Sequence, residues 1–142
     1  MRTSLALLFA LGPLLACRHI DPWTHEYNLE NAQLAYTQSM RWGKFEQASQ
    51  WIDPADRPRF FREAEQLEDV RISEYEIGEL EMADGGKSAT VRVSYRVYDM
   101  RTLIEREVRE TQEWSYDEDG WQVRPKIASL REGSALPRGA TP

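Results

Sequence analysis

Five residues on one face of a single predicted strand carry most of the chemistry this sequence could do. In the segment 103–116 the even positions share a face, and after Ile104 they read Arg106, Val108, Glu110, Gln112, Trp114 and Tyr116. A guanidinium, a carboxyl and an amide on an otherwise apolar face need partners, because a buried polar group without a hydrogen bond is costly. Tyr95, on the preceding strand, is expected across from Arg106. One reading is a ligand pocket of Tyr95, Arg106, Glu110 and Trp114, with Arg106 and Glu110 recognising the polar end of a small molecule. The plainer and preferred account is that Arg106 and Glu110 pair with each other along the strand, or lie beyond the edge of the helical layer. Trp51, Trp114 and Trp121 are expected in the core.

The other reactive side chains point to little catalysis. His19 and His25 stand before or at the first helical turn, where neither would project into a pocket, so neither is read as a catalyst. The sequence has no cysteine pair, no His-x-x-x-His and no calcium-loop pattern, which leaves no metal site to expect. Glycine-rich phosphate loops and nucleophile elbows are missing too, and no cofactor is expected. Glu63, Glu65, Glu68, Asp69, Glu74, Glu76, Glu79 and Glu81 fall among apolar residues and read as a solvated face. Hydrolysis by paired carboxylates would need two acids facing one cleft. The net charge of −6 argues against nucleic acid, which attracts clustered Lys and Arg. The single cysteine, Cys17, allows no internal disulfide. A free thiol there would be a liability in an oxidising compartment unless it is chemically capped.

Three helices and four strands would position these groups. Asp21-Pro22 is a helix start, with Asp as N-cap and Pro at the first helical position. The first helix is read over residues 22–41, with Tyr27, Ala32, Leu34, Ala35 and Met40 as its apolar stripe, and Gly43 interrupts the pattern. Phe45, Ala48, Trp51 and Ile52 mark a short second helix that Asp53-Pro54 stops, and residues 55–67 a third. The period then changes to two: Ala89, Val91, Val93, Tyr95 and Val97 alternate with polar residues, the pattern of a half-buried strand. Turn residues at 84–87 and 117–120 divide the region into strands over 68–82, 88–99, 103–116 and 121–127. A tight turn at Met100-Arg101 would set Val97 against Ile104, Val93 against Val108 and Arg96 against Glu105. In the first strand Tyr75 and Ile77 differ in parity from Leu80 and Met82, so a bulge near Gly78 is required to bring all four to one face. The domain is read as residues 22–127, and 128–142 as a disordered tail.

The N-terminus explains the capped thiol. Arg2 is a minimal positive region, and residues 5–15, LALLFALGPLL, are an apolar run too short to span a bilayer. Leu14-Leu15-Ala16-Cys17 then resembles the bacterial lipobox. The resemblance implies a signal peptide over 1–16, diacylation of the Cys17 sulfur, cleavage before it, and a tether over 17–21. The chain would sit in the cell envelope, outside the cytoplasm and held to the membrane by its lipid. Arg18, where Asp would favour inner-membrane retention, mildly favours the outer membrane. Without its leader the 142-residue chain keeps 126 residues with a net charge of −7.

Helices followed by a bent four-stranded meander resemble the cone-shaped α+β folds of the nuclear-transport-factor-like and cystatin-like groups, over residues 22–126. The segment Arg41-Trp42-Gly43-Lys44-Phe45-Glu46-Gln47-Ala48, a helix end, a glycine, then an aromatic and an alanine, is frequent in small bacterial lipoproteins of this shape. Common members of the first group place a strand pair among the helices, which is not visible here, so the choice between the groups stays open. The expected role is a non-enzymatic adaptor or binding module whose partner is another envelope protein. The alternative is a carrier or sensor of a small apolar ligand in a cone cavity lined by Val93, Tyr95 and Trp114. An enzyme of the same fold comes third.

Overall fold

The computed structural model describes residues 22–132, with side chains from Glu26 to Arg131. Cys17, His19, the leader, the tether and residues 133–142 lie outside it, as does the side chain of His25. The first helix, α1, runs Pro22–Arg41. Its end is a glycine cap: Gly43 at φ +64 lets its N–H reach Met40 O at 3.1 Å while Lys44 N–H reaches Ser39 O at 2.8 Å. That left-handed residue closes the last carbonyls of the helix and leaves Trp42 on the rim.

The buried face of α1 is Leu29, Ala32, Gln33, Tyr36, Thr37 and Met40. This corrects the stripe read from the sequence, since Tyr27 and Leu34 are exposed. Two polar residues on the true inner face, Gln33 and Thr37, hid it: Gln33 Nε2 donates to Thr37 Oγ1 at 3.0 Å, so the pair enters the core partly satisfied.

Helix α2, Phe45–Ala48, continues as a 3-10 turn over Ser49–Trp51. The Asp53 carboxylate accepts from Ala55 N–H at 2.7 Å, turning the chain into α3, Arg57–Glu65. Phe60, Ala64 and Leu67 are its buried contribution. Trp51 is only half-buried, while Trp114 and Trp121 are core residues as expected.

Strands β1 (Val70–Ala83), β2 (Ser88–Asp99), β3 (Glu105–Asp117) and β4 (Gly120–Arg124) form one antiparallel sheet in sequence order. The protein is thus α+β, with its helices packed on one face of an open four-stranded meander. β1 shifts register at Gly78, between Ile77 and Leu80, and Tyr75, Ile77, Leu80 and Met82 all pair with core-facing residues of β2. A second shift lies between Ile72 and Glu74. The bulge needs glycine because a Cβ at position 78 would stand 3.2 Å from Arg92 O.

The β2–β3 register differs from expectation by two residues. Val97 faces Arg106, Tyr95 faces Val108, Val93 faces Glu110 and Arg96 faces Glu107. The cause is a longer connection. Asp99 Oδ1 accepts from Arg101 N–H at 2.8 Å and Thr102 N–H at 3.3 Å, Leu103 takes φ +55, and its N–H returns to Asp99 O at 2.7 Å. These donors hold the Asp99 carboxyl below its usual range. A slip of two keeps every side chain on its own face, so alternation alone does not detect it.

The outer sheet face is charged and solvated. Arg92 bridges Glu79 and Glu81, Arg96 meets Glu74 and Glu105, and Glu113 meets Arg124 and Lys126. Such exposed pairs add little to stability, since solvent screens them. Past β4 the chain does not stop at Ile127 but forms helix α4, Ala128–Glu132, which buries Leu130 beside Ile127. Residues 128–132, expected to open a disordered tail, are this helix, and 133–142 lie outside the described residues. Among the described residues no helix is long and apolar enough to cross a membrane.

Candidate functional site

Beneath α1 the sheet carries a buried polar cluster. On β3, Glu110 is 5% exposed, and Gln112 and Trp114 are buried beside it. Gln112 ties the group together. Its Nε2 donates to Tyr95 Oη at 3.1 Å and Glu110 Oε2 at 3.3 Å, and its Oε1 accepts from Trp114 Nε1 at 3.2 Å and Gln33 Nε2 at 3.4 Å. Tyr36 packs edge-on against Trp114, with centroids 5.9 Å apart at 90°.

Three buried oxygens near this cluster lack a hydrogen-bond partner: Tyr36 Oη, Glu63 Oε2 and Glu110 Oε1. Each such group costs about 1–3 kcal/mol. Burial pushes the Glu110 carboxyl up, against the opposing pull of Gln112, the Tyr95 hydroxyl, and the N–H and charge of Lys126. Burial, then the charge of Glu110, raises the Tyr36 and Tyr95 hydroxyls well above their usual range. Both tyrosines stay neutral.

Of the residues singled out in the sequence, Tyr95, Glu110 and Trp114 come together and Arg106 does not. Arg106 neither pairs with Glu110 nor faces the cluster's centre. Its Nη2 donates to Leu130 O and Arg131 O, both at 2.8 Å, capping α4. Arg106 thus holds the chain's own C-terminal segment, while Glu110 accepts from Gln112 Nε2. Gln33, Thr37, Tyr36 and Glu63 were missed. Polar residues at helical spacing with Tyr36 were the only signal for the first two. Glu63 departs from the solvated carboxylates around it because its Oε2 is buried.

A glutamine at 110 tests the titration. The native carboxyl value lies above the unfolded one, so the stability it contributes is complete below the ordinary 4.5 and is lost as pH rises through the raised native value. Glu110→Gln keeps an acceptor and removes the charge. The variant should match wild type in acid and exceed its unfolding free energy near neutrality by on the order of 1 kcal/mol. Urea melts across pH check this, and a difference independent of pH would assign the effect to shape.

A groove of about 490 Å³ opens at the C-terminal end of α1, between Met40, Trp42, Phe45, Leu67, Ile72 and Tyr98. Arg41, Glu68 and Arg71 border it, and Leu130 contributes from α4. Trp42 is 67% exposed. The Arg41 guanidinium lies 5.2 Å from the Trp42 ring and 5.8 Å from that of Tyr75, while donating to Ser73 O at 2.9 Å. A second hollow of about 650 Å³ shares Gly43, Phe45 and Glu68 with the groove and runs over Phe61 and Ala64. The β2–β3 connection adjoins this end, since Met100 N–H donates to Asp69 O at 2.7 Å. It exposes Leu103 by 74% and Ile104 by 63%. Among the described residues no group of three or more His, Cys, Asp or Glu could hold a metal.

No protein-family model matches the chain, and no curated protein matches its sequence. Solved structures match its fold. A proposed dehydratase of the NTF2-like family from Streptomyces avermitilis aligns over 72% of this chain and 93% of its own, with a TM-score of 0.53 at 18% identity. A ketosteroid isomerase-like protein from Erwinia carotovora atroseptica aligns over 68% of this chain and 88% of its own, with a TM-score of 0.55 at 16% identity. These likenesses show the fold, helices packed on one open four-stranded antiparallel sheet, as in the NTF2-like protein. At such identities the likeness extends to architecture and not to activity. A function-unknown protein from Mycobacterium tuberculosis aligns over 81% of this chain and 73% of its own, with a TM-score of 0.55 at 14% identity.

Proposed function

We propose that this chain is a bacterial lipoprotein, anchored through acyl groups on Cys17, that presents a non-catalytic binding module to another protein of the cell envelope. Arg18 after the cysteine favours the outer membrane where the host has one. The observation that carries the reading is the placement of exposed apolar residues. The 20 residues of α1 form a rod of about 30 Å. Its first residue follows the tether, and its last turn borders the groove. Trp42, Leu103 and Ile104 therefore stand well away from the anchored end, where a membrane-fixed chain would meet a neighbour. Aromatic and aliphatic side chains around a concave surface are the composition of an interface centre, and a partner carrying apolar anchor residues fits it. The buried polar groups support the same reading, because Arg106 already holds main-chain atoms of the C-terminal segment and Glu110 is bonded to Gln112.

The test is site-specific photocrosslinking in cells. A photoreactive residue in place of Trp42 should capture one reproducible envelope protein. The same residue in place of Arg109, exposed on the charged outer face, should not. Equal capture at both sites, or none at either, would overturn the reading.

A second reading rests on the Glu110 cluster. A carboxyl raised by burial beside two tyrosines is a set able to pass a proton, and two solved neighbours bear names of dehydratase and isomerase type. A small ligand in the cone belongs to the same reading. Glu110→Gln separates the two, since it would end proton transfer while leaving crosslinking at position 42 intact.

A further inference from the structure

We infer that residues 125–132 form a strap across the helix-covered face of the sheet that opens as a unit while the sheet stays folded, with Arg106 as its latch. This is independent of what binds the groove. The strap is attached at few points. Pro125, Ile127 and Leu130 are buried, and Arg106 Nη2 binds the carbonyls of Leu130 and Arg131 at 2.8 Å. Outside the cone, Lys126 Nζ meets Glu113 at 2.6 Å, and Ser129 Oγ donates to Lys126 O at 2.9 Å within the strap itself.

Two buried atoms near the strap are unsatisfied when it is closed. Arg106 Nε and Glu110 Oε1 are buried without a hydrogen-bond partner. Lifting the strap would give both atoms to water, so opening relieves a penalty that opposes the burial of three apolar side chains, Pro125, Ile127 and Leu130. A segment in such balance opens locally long before the domain unfolds. Opening would also uncover the floor of the groove at Leu130 and bring solvent to Glu110, Tyr95 and Tyr36. The strap would then set access to the cluster and shape the groove together.

Amide hydrogen exchange on the intact chain tests this. Amides of residues 127–131 should exchange together, at one rate, about 100-fold faster than those of Val91 to Val97 in β2. Arg106→Gln should quicken the strap by about tenfold, the effect of losing a charge-assisted hydrogen bond, and leave β2 unchanged. Leu130→Ala should do the same by removing an anchor, and it keeps the question open to decision should Arg106→Gln fail to fold by circular dichroism. A gradient fading inward from Arg131 would show end-fraying in place of a strap. That result overturns the inference, as do equal rates in strap and sheet, or a variant that quickens both alike.

Discussion

Cys17→Ala is expected to release the chain from the membrane entirely and to leave the domain folded. A single acyl chain holds a protein only marginally, with an association constant of about 10⁴ M⁻¹, whereas two or three chains at about 0.8 kcal/mol per buried CH₂ hold it durably. No described helix could substitute by crossing the bilayer, and the formal charge of −6 gives no attraction to an anionic surface. The described core is built from residues between Leu29 and Leu130, so folding does not depend on position 17. Labelled palmitate should enter the wild type and not the variant, and the variant should leave the pellet of sedimented vesicles. A variant that stays bound, in a chain that takes up no palmitate, would remove the lipid anchor from the proposal.

Trp114→Ala should be the most damaging single change within the fold, lowering stability by about 3–5 kcal/mol. The indole is almost fully buried near the end of β3 and contacts Tyr36 edge to face, a contact worth about 0.5–1.5 kcal/mol beyond its area. Its Nε1–H is also a donor to Gln112 Oε1 at 3.2 Å, leaving Gln33 at 3.4 Å as the other. Removing it opens a void and loosens the amide that orients Tyr95 and Glu110. A domain of this size holds only about 5–15 kcal/mol in total, so the loss takes a large part of it. Trp114→Phe, which keeps most of the ring and loses the donor, should fall between. Chemical denaturation measures both. A loss under about 1 kcal/mol for the alanine variant would mean the cluster is not the organising centre described above.

By itself the sequence determined the order of three helices and four strands and the two faces of each strand, but not the inner face of α1 or the existence of α4. Helix α1 was legible to its last residue, because Pro22 and Gly43 mark its ends chemically. The two hairpin turns and the bulge at Gly78 were legible because strand alternation is local, with each residue's face following from its neighbours in the chain. The same locality hid the rest. Gln33 and Thr37 look like surface residues until Gln112 on a distant strand is placed beside them. The β2–β3 register is off by two because a change of two preserves every face, and only the closed geometry of Asp99 and Leu103 selects the longer connection. Arg106 and Glu110 were flagged as needing partners, but Arg106 binds main-chain oxygens of residues 130 and 131, in a segment without any periodic signal, and Glu110 accepts from Gln112. Tertiary structure decided these points, because satisfying a buried polar group depends on what the whole fold brings within about 3 Å of it.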